Sequence, residues 1–287
     1  MPYCHCDDID LYYETESDGE PLLLISGLGG GTWSWYGQIP YFRDRYRVVT
    51  FDNRGAGRSG MPEGPYSIKG MAADALCLLD HLKLDRVYLF ALSMGGMIAQ
   101  ELALLAPGRI RAMALGCTDC GGPSRIPPES SVYASLMNNE GLNREAVVRK
   151  NLPLFFSKPF LESRPDAIDA YCSAQIQGNP QPEHAFKAQM AAIVAFDCCS
   201  RLPGLRTPTL IVAGGCDVLI PPQNARLIAG LIPGAELVEI PDAGHALHAE
   251  CRDVLNETAH EFFSRHRGTG HGGSTPKEIS SRHRIVY

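Results

Sequence analysis

Short, continuous apolar runs alternate along this chain with longer segments of helical period, and no other feature restricts the fold as much. Residues 22–25 read Leu-Leu-Leu-Ile, closed off by Pro21 and a glycine cluster. A strand exposed on one face would alternate polar and apolar residues, so an unbroken run marks a strand buried on both faces. Residues 46–51, 86–91, 110–115, 209–213 and 237–240 are read as further strands. Segments 67–81, 93–105, 225–231 and 246–264 have helical period, and Ser67 is placed to cap the first. Residues 9–14 alternate as an antiparallel edge strand does. Strands alternating with helices imply a parallel sheet covered on both faces. The alternation lapses between about 121 and 200, where helical segments at 144–150, 165–177 and 182–196 follow one another. The expected organisation is an α/β core from 1–120 and 201–267, a helical cap insertion at 121–200 and a flexible tail at 268–287, rich in Gly, Ser, His and Arg.

Composition removes several function classes. The 287 residues carry a net charge of −6 with a sequence pI of about 5.8. Nucleic-acid binding needs a basic face, so no nucleic-acid partner is expected. The cluster Arg43, Arg45 and Arg47 reads as solvated surface. No basic segment followed by an apolar run opens the chain, and no apolar stretch reaches the roughly 18 residues that span a bilayer. A cytoplasmic protein with no membrane partner is expected. Ten cysteines without a secretory leader read as free thiols rather than a disulfide framework. Cys117 and Cys120 have the spacing of half a metal knuckle, but no second pair of matching spacing follows. Cys4-His5-Cys6 sits at a terminus expected to be mobile. A structural zinc site wants four ligands, so no metal is expected.

The segment from Arg86 to Ala99 carries the chemistry. A strand ends at Ala91 and Leu92. Then come Ser93, Met94, Gly95 and Gly96, and a helix begins. A serine on a tight strand-to-helix turn exposes its hydroxyl above the sheet, and its neighbours two residues away must be small because strand and helix pack closely. Downstream, the strand at 209–213 runs into Gly214-Gly215-Cys216-Asp217, and the strand at 237–240 into Pro241-Asp242-Ala243-Gly244-His245. Upstream, Ser26-Gly27-Leu28-Gly29-Gly30-Gly31 follows the strand at 22–25. The run from Asp52 to Ser59 reads Asp-Asn-Arg-Gly-Ala-Gly-Arg-Ser. The glycine-rich loop lacks both the dinucleotide fingerprint and the Lys-Ser/Thr of a P-loop.

These motifs, in this order, resemble the α/β-hydrolase family over about 22–264, less the insertion. Ala91 stands where the nucleophile elbow has its first glycine, and Ser26 where the oxyanion loop has histidine. The resemblance implies a mostly parallel, eight-stranded α/β-hydrolase sheet with helices on both faces. It implies Ser93 as nucleophile, Asp217 as acid and His245 as base, with Leu28 and Met94 N–H groups as the oxyanion hole. Asp119 is a rival acid, and His248 a rival base that falls inside the last helix. The run at 52–59 is read as structural support. No cofactor is implied. Trp33, Phe155, Phe156 and Phe160 are candidate pocket residues, with Trp35 just after the oxyanion loop as a further wall residue and Tyr171, Phe186, Met190 and Phe196 as further aromatic or apolar cap positions. The expected substrate is a small, fairly apolar ester or lactone. Carbon–carbon bond hydrolysis of ring-cleavage products, cofactor-free perhydrolysis and a non-catalytic ligand-binding scaffold are the alternatives. Ser93 argues against the Asp-nucleophile branches, and Met94 against the proline-type aminopeptidases. Oligomeric state is not readable from one chain.

Overall fold

The computed structural model describes residues 2–179, 181–267 and 283–285. Two N-terminal strands, β1 (Tyr3–Cys6) and β2 (Ile9–Glu16), form an antiparallel hairpin. Then come β3 (Pro21–Ile25), the short helix α1 (Ile39–Phe42), β4 (Arg47–Phe51) and α2 (Ile68–His81). β5 (Val87–Leu92), α3 (Met94–Leu105) and β6 (Ile110–Gly116) follow. Five helices fill the interval before the next strand: α4 (Ser130–Met137), α5 (Arg144–Phe155), α6 (Lys158–Ser163), α7 (Pro165–Gln177) and α8 (Glu183–Ala195). The chain then returns to the sheet through β7 (Thr209–Gly214), α9 (Gln223–Leu231), β8 (Glu236–Ile240), α10 (Leu247–Glu250), α11 (Arg252–Arg265) and β9 (His283–Ile285).

The strand order is β1-β2-β4-β3-β5-β6-β7-β8-β9, with β2 antiparallel to both its neighbours and every other pairing parallel. The first eight strands match the expected sheet, and β9 extends it beside β8. The expected flexible tail is therefore corrected at 283–285, and its other residues, 268–282 and 286–287, lie outside the described residues. From β3 the chain crosses to β4 on one side and then to β5 on the other. The crevice at such a reversal, beyond the carboxyl ends of the strands, is where open α/β sheets bind ligands.

Side-chain alternation along each strand sorts the core into two layers. Leu23 and Ile25 join Leu89, Ala91, Met113 and Ile211 under α2, α3 and α9. Leu22 and Leu24 face the other way, with Tyr88, Phe90, Leu210, Trp35 and the α11 residues Leu255, Phe262 and Phe263. Ser67 caps α2 as its position implies, accepting the Gly70 N–H. The expected last helix is divided at Cys251, whose φ of −120° and ψ of 36° are not helical. Among the described residues no helix is long and apolar enough to cross a membrane.

Two expectations about cysteine are overturned. Cys6 is bonded to Cys77 and Cys120 to Cys199. The partners lie 71 and 79 residues apart, so only the fold brings them together: β1 lies against α2, and the segments after β6 and before β7 meet beside adjacent strands. The N-terminal Cys4-His5-Cys6 is not a loose end but strand β1, with Cys4 and Cys6 buried.

The run at 52–59 is a support. The Asp52 carboxylate, fully buried, accepts the N–H groups of Thr32 and Arg58, both at 2.8 Å. Asn53 Nδ2 donates to the Ser26 carbonyl at 2.8 Å, so this turn holds the loop after β3 in place. Asp52→Ala would leave the buried Thr32 amide and the partly buried Arg58 amide without acceptors. It should lower the unfolding free energy by about 3 kcal/mol, which urea denaturation beside the wild type will measure.

Candidate active site

Ser93 sits between the end of β5 and the start of α3 with φ 56° and ψ −124°. A non-glycine residue holds that conformation only where its surroundings enforce it. Here its N–H donates to the Gly116 carbonyl at 2.9 Å, and the Thr118 hydroxyl donates to its carbonyl at 2.8 Å. The two glycines that follow are required by space. A Cβ on Gly95 would lie 2.0 Å from the Ile25 carbonyl oxygen, and one on Gly96 2.6 Å from Thr118 Cβ.

His245 Nε2 lies 3.1 Å from Ser93 Oγ, and its Nδ1 lies 2.7 Å from Asp217 Oδ2. The other Asp217 oxygen accepts the N–H groups of Leu219 and Ile220, each at 2.9 Å. These two bonds fix the carboxylate, so its free lone pair points at the imidazole and selects the tautomer with a proton on Nδ1. The loops bearing the two residues touch through their backbones: Gly215 N–H donates to the Ile240 carbonyl and Cys216 N–H to that of Ala243. Gly214 and Gly215 permit this, since a Cβ on either would lie 2.3 Å from a carbonyl oxygen of the His245 loop.

The loop after β3 runs alongside the serine, and a Cβ on Gly27 would lie 3.6 Å from Ser93 Oγ. Among the described residues the amides of Leu28 and Met94 have no hydrogen-bond acceptor. Met94 begins α3, where orphan N–H groups and the helix dipole favour negative charge. Ser93, Asp217, His245, Leu28 and Met94 are thus brought to one place. Asp119 is not bonded to His245. Its carboxylate accepts the Gly121 N–H, and burial pushes its pKa up, partly offset by Arg125 at 4.0 Å.

The cavity over Ser93 holds about 180 Å³. Phe155 lines it, with its ring centroid 5.7 Å from that of His245, and so do Trp35, Tyr171, Gln175 and Met190. Three candidates do not line it. Trp33 packs between Gly31, Gly57 and Gly178, with Arg144 over its ring. Phe156 and Phe160 stack on each other at 5.5 Å within a small apolar cluster of the helical segment. An aromatic residue serves a helical core as readily as a pocket, so composition does not separate the two uses. α4 borders the cavity through Tyr133 and Leu136 but buries none of its own residues.

Three positions beside the site are assigned to it by no sequence motif. Gln189, from α8, is fully buried. It accepts the Gly29 N–H at 2.9 Å and donates to the Arg54 carbonyl at 2.7 Å, so the helical segment holds the loop after β3. Glu250 accepts the Gly244 N–H at 3.0 Å and the Ser157 hydroxyl at 2.5 Å, while the Ala246 N–H donates to the Phe155 carbonyl at 2.7 Å. Cys117 is sealed beneath the acid–histidine pair, and burial pushes its thiol pKa well up.

Residues 20–250 match the family described as alpha/beta hydrolase fold. The chain belongs to the α/β-hydrolase family. It is 35% identical to the RutD protein of Azorhizobium caulinodans, named for carbamate hydrolysis, over 90% of this chain and 96% of that protein. It is 26% identical to 3-oxoadipate enol-lactonase 2 of Acinetobacter baylyi, over 92% and 99% of the two chains. The enol-lactonase structure from Burkholderia xenovorans LB400 superposes with a TM-score of 0.81 at 27% identity, covering 92% of this chain and all of that one.

Two measurements follow for this hydrolase. Gln189→Leu removes the acceptor for Gly29 beside the Leu28 amide, and turnover of the folded variant should fall about 10- to 100-fold beside a stability loss of about 1–3 kcal/mol from the stranded partners; unchanged turnover of the folded variant would oppose this role. Burial, and next the proximity of His245, lower the pKa of His248 to about 4, against roughly 6.5 in an unfolded chain. The unfolded state therefore binds this proton first, and the stability is full above about pH 6.5 and lost as pH falls toward 4. His248→Gln should remove about one proton from the uptake on unfolding in that window, leaving the shares of His260 and His266, which burial also lowers. Denaturation curves across pH 4 to 7 read the difference.

Proposed function

We propose that this hydrolase cleaves a small, largely apolar carboxylic ester or lactone through an acyl-enzyme on Ser93. The observation that carries the reading is the chain of contacts from Ser93 Oγ through His245 to Asp217, at 3.1 and 2.7 Å, set beside two unoccupied amides. His245 takes the hydroxyl proton as Ser93 attacks the carbonyl carbon, and Asp217 stabilises the resulting imidazolium. The oxyanion receives the N–H groups of Leu28 and Met94, which lie ready without reorganisation. His245 then protonates the leaving oxygen. Water, deprotonated by the same imidazole, attacks the acyl carbonyl and releases the acid. The helices between β6 and β7 act as a cap whose Phe155 and Met190, together with Trp35 from the segment after β3, favour an apolar acyl or alcohol part. Tyr171, kept a neutral phenol by burial, and Gln175 add hydrogen-bonding groups without charge, and the charged pair Arg125 and Asp119 stands at the same cavity.

The relatives support acyl chemistry of this kind, since an enol-lactone and a carbamate both offer a carbonyl carbon bearing a heteroatom leaving group. The test is turnover of p-nitrophenyl esters of graded acyl length beside Ser93→Ala. Hydrolysis should fall on the order of 10⁴- to 10⁶-fold in the variant, and a fluorophosphonate probe should label the wild type alone. Labelling without turnover on any ester would redirect the assignment to lactones or carbon–carbon bonds. Neither labelling nor turnover would make the protein a ligand-binding scaffold.

A further inference from the structure

The bridge between Cys6 and Cys77 leaves a third sulfur unexplained. Residues 4 and 6 fall on the same face of β1, and both side chains are turned inward against α2. Cys4 Sγ lies 3.3 Å from Cys6 Sγ and 3.8 Å from Cys77 Sγ. A staple between a strand and a helix needs two sulfurs. The bridge between Cys120 and Cys199 is of that plain kind, with no third ligand-type atom grouped around it among the described residues. At the other bridge three sulfurs converge, from two elements 71 residues apart.

We propose that, in the thiol form of the protein, Cys4, Cys6 and Cys77 are a binding site for a thiophilic divalent cation, with zinc as its reference ion. Zinc–sulfur bonds of about 2.3 Å place ligand sulfurs about 3.8 Å apart in a tetrahedron and about 4.0 Å apart in a trigonal plane. The separation of Cys4 and Cys77 already meets the first figure. Once the bridge is open, rotation about the Cα–Cβ bonds of Cys6 and Cys77 brings the remaining edges to the same length. The site is sheltered, with Cys4 at 0% and Cys6 at 2% exposure, while the partly exposed Cys77 marks the way in. His5 does not contribute, because its imidazole sits on the exposed face of β1 and engages Asp10 at 2.9 Å. Three thiolates then bind and the fourth position is left to water.

The chemistry balances in two steps. A small-molecule thiol reductant gives two electrons and two protons to the Cys6–Cys77 bond and becomes a disulfide itself. The cation then displaces one proton from each of the three thiols. Bridge and metal are thus alternative joints between β1 and α2, built from the same atoms. Three strands separate β1 from β5, so the joint is independent of the reading given for Ser93.

The test uses the full chain, reduced with a phosphine and dialysed against zinc in a chelator buffer, with bound metal counted by elemental analysis. Reduced wild type should retain one zinc per chain, and so should Cys120→Ser and Cys216→Ser. Affinity should drop about 100-fold or more in Cys4→Ser, a change that leaves the Cys6–Cys77 pair intact, and the oxidised protein should retain none. Alkylation of the reduced wild type followed by mass mapping should find Cys4, Cys6 and Cys77 protected by zinc, a readout that needs no variant to fold. Absence of zinc from the reduced wild type, undiminished affinity in Cys4→Ser, or protection at other cysteines would overturn the proposal.

Discussion

The site depends on one close approach: the first turn of α3 lies so near the end of β3 that Gly95 has only a hydrogen where a Cβ would strike the Ile25 carbonyl. That approach brings the loop after β3 against the serine and leaves the Met94 amide facing the same space as that of Leu28. It also explains the left-handed backbone at Ser93, because a relaxed turn would carry the helix away from the neighbouring strand. The strain is held by the hydrogen bond that Ser93 N–H donates to the Gly116 carbonyl, by the one its carbonyl accepts from Thr118, and by the packing of α3, of which ten residues are buried. The sheet reverses its winding between β3 and β5, so the two loops diverge to opposite sides and leave a crevice.

The second half of the site is assembled by backbone contact between loops. Asp217 and His245 meet because β7 and β8 are parallel neighbours and because glycines let their following loops touch. The helical segment closes the arrangement from above. Gln189 holds the loop after β3, and the Phe155 carbonyl and the Ser157 hydroxyl hold the loop of His245 through Ala246 and Glu250. Four stretches far apart in sequence therefore fix one another.

Much of this was legible in the sequence, for identifiable reasons. The buried strands announce themselves because burial on both faces forces unbroken apolar runs, as in Pro21–Ile25. Ser93, Asp217 and His245 announce themselves because each follows such a strand in a glycine-bearing loop. Gln189 and Glu250 are ordinary polar residues on helices, and only tertiary structure brings them to the loops they hold. Trp33, Phe156 and Phe160 illustrate the converse, since apolar bulk marks a buried position without saying which interior it fills. The cysteine pairings were illegible for the same reason, because spacings of 71 and 79 residues encode nothing until β1 meets α2 and the segments flanking β6 and β7 meet.

The fastening of the His245 loop to α5 and α6 bears on how the pocket can vary. Any displacement of Phe155 or Ser157 is transmitted to the imidazole through Ala246 and Glu250, so the rear wall of the cavity and the proton carrier form a single mechanical part. α4 takes no part in those bonds: it is joined to α5 only at its C-terminal end, where Lys150 donates to the Ser135 and Asn138 carbonyls, and none of its residues is buried, yet Tyr133 and Leu136 stand at the cavity. Divergence of this wall can therefore reshape what enters while the geometry of proton transfer stays fixed. The molecule thereby separates an adaptable gateway from an invariant working edge.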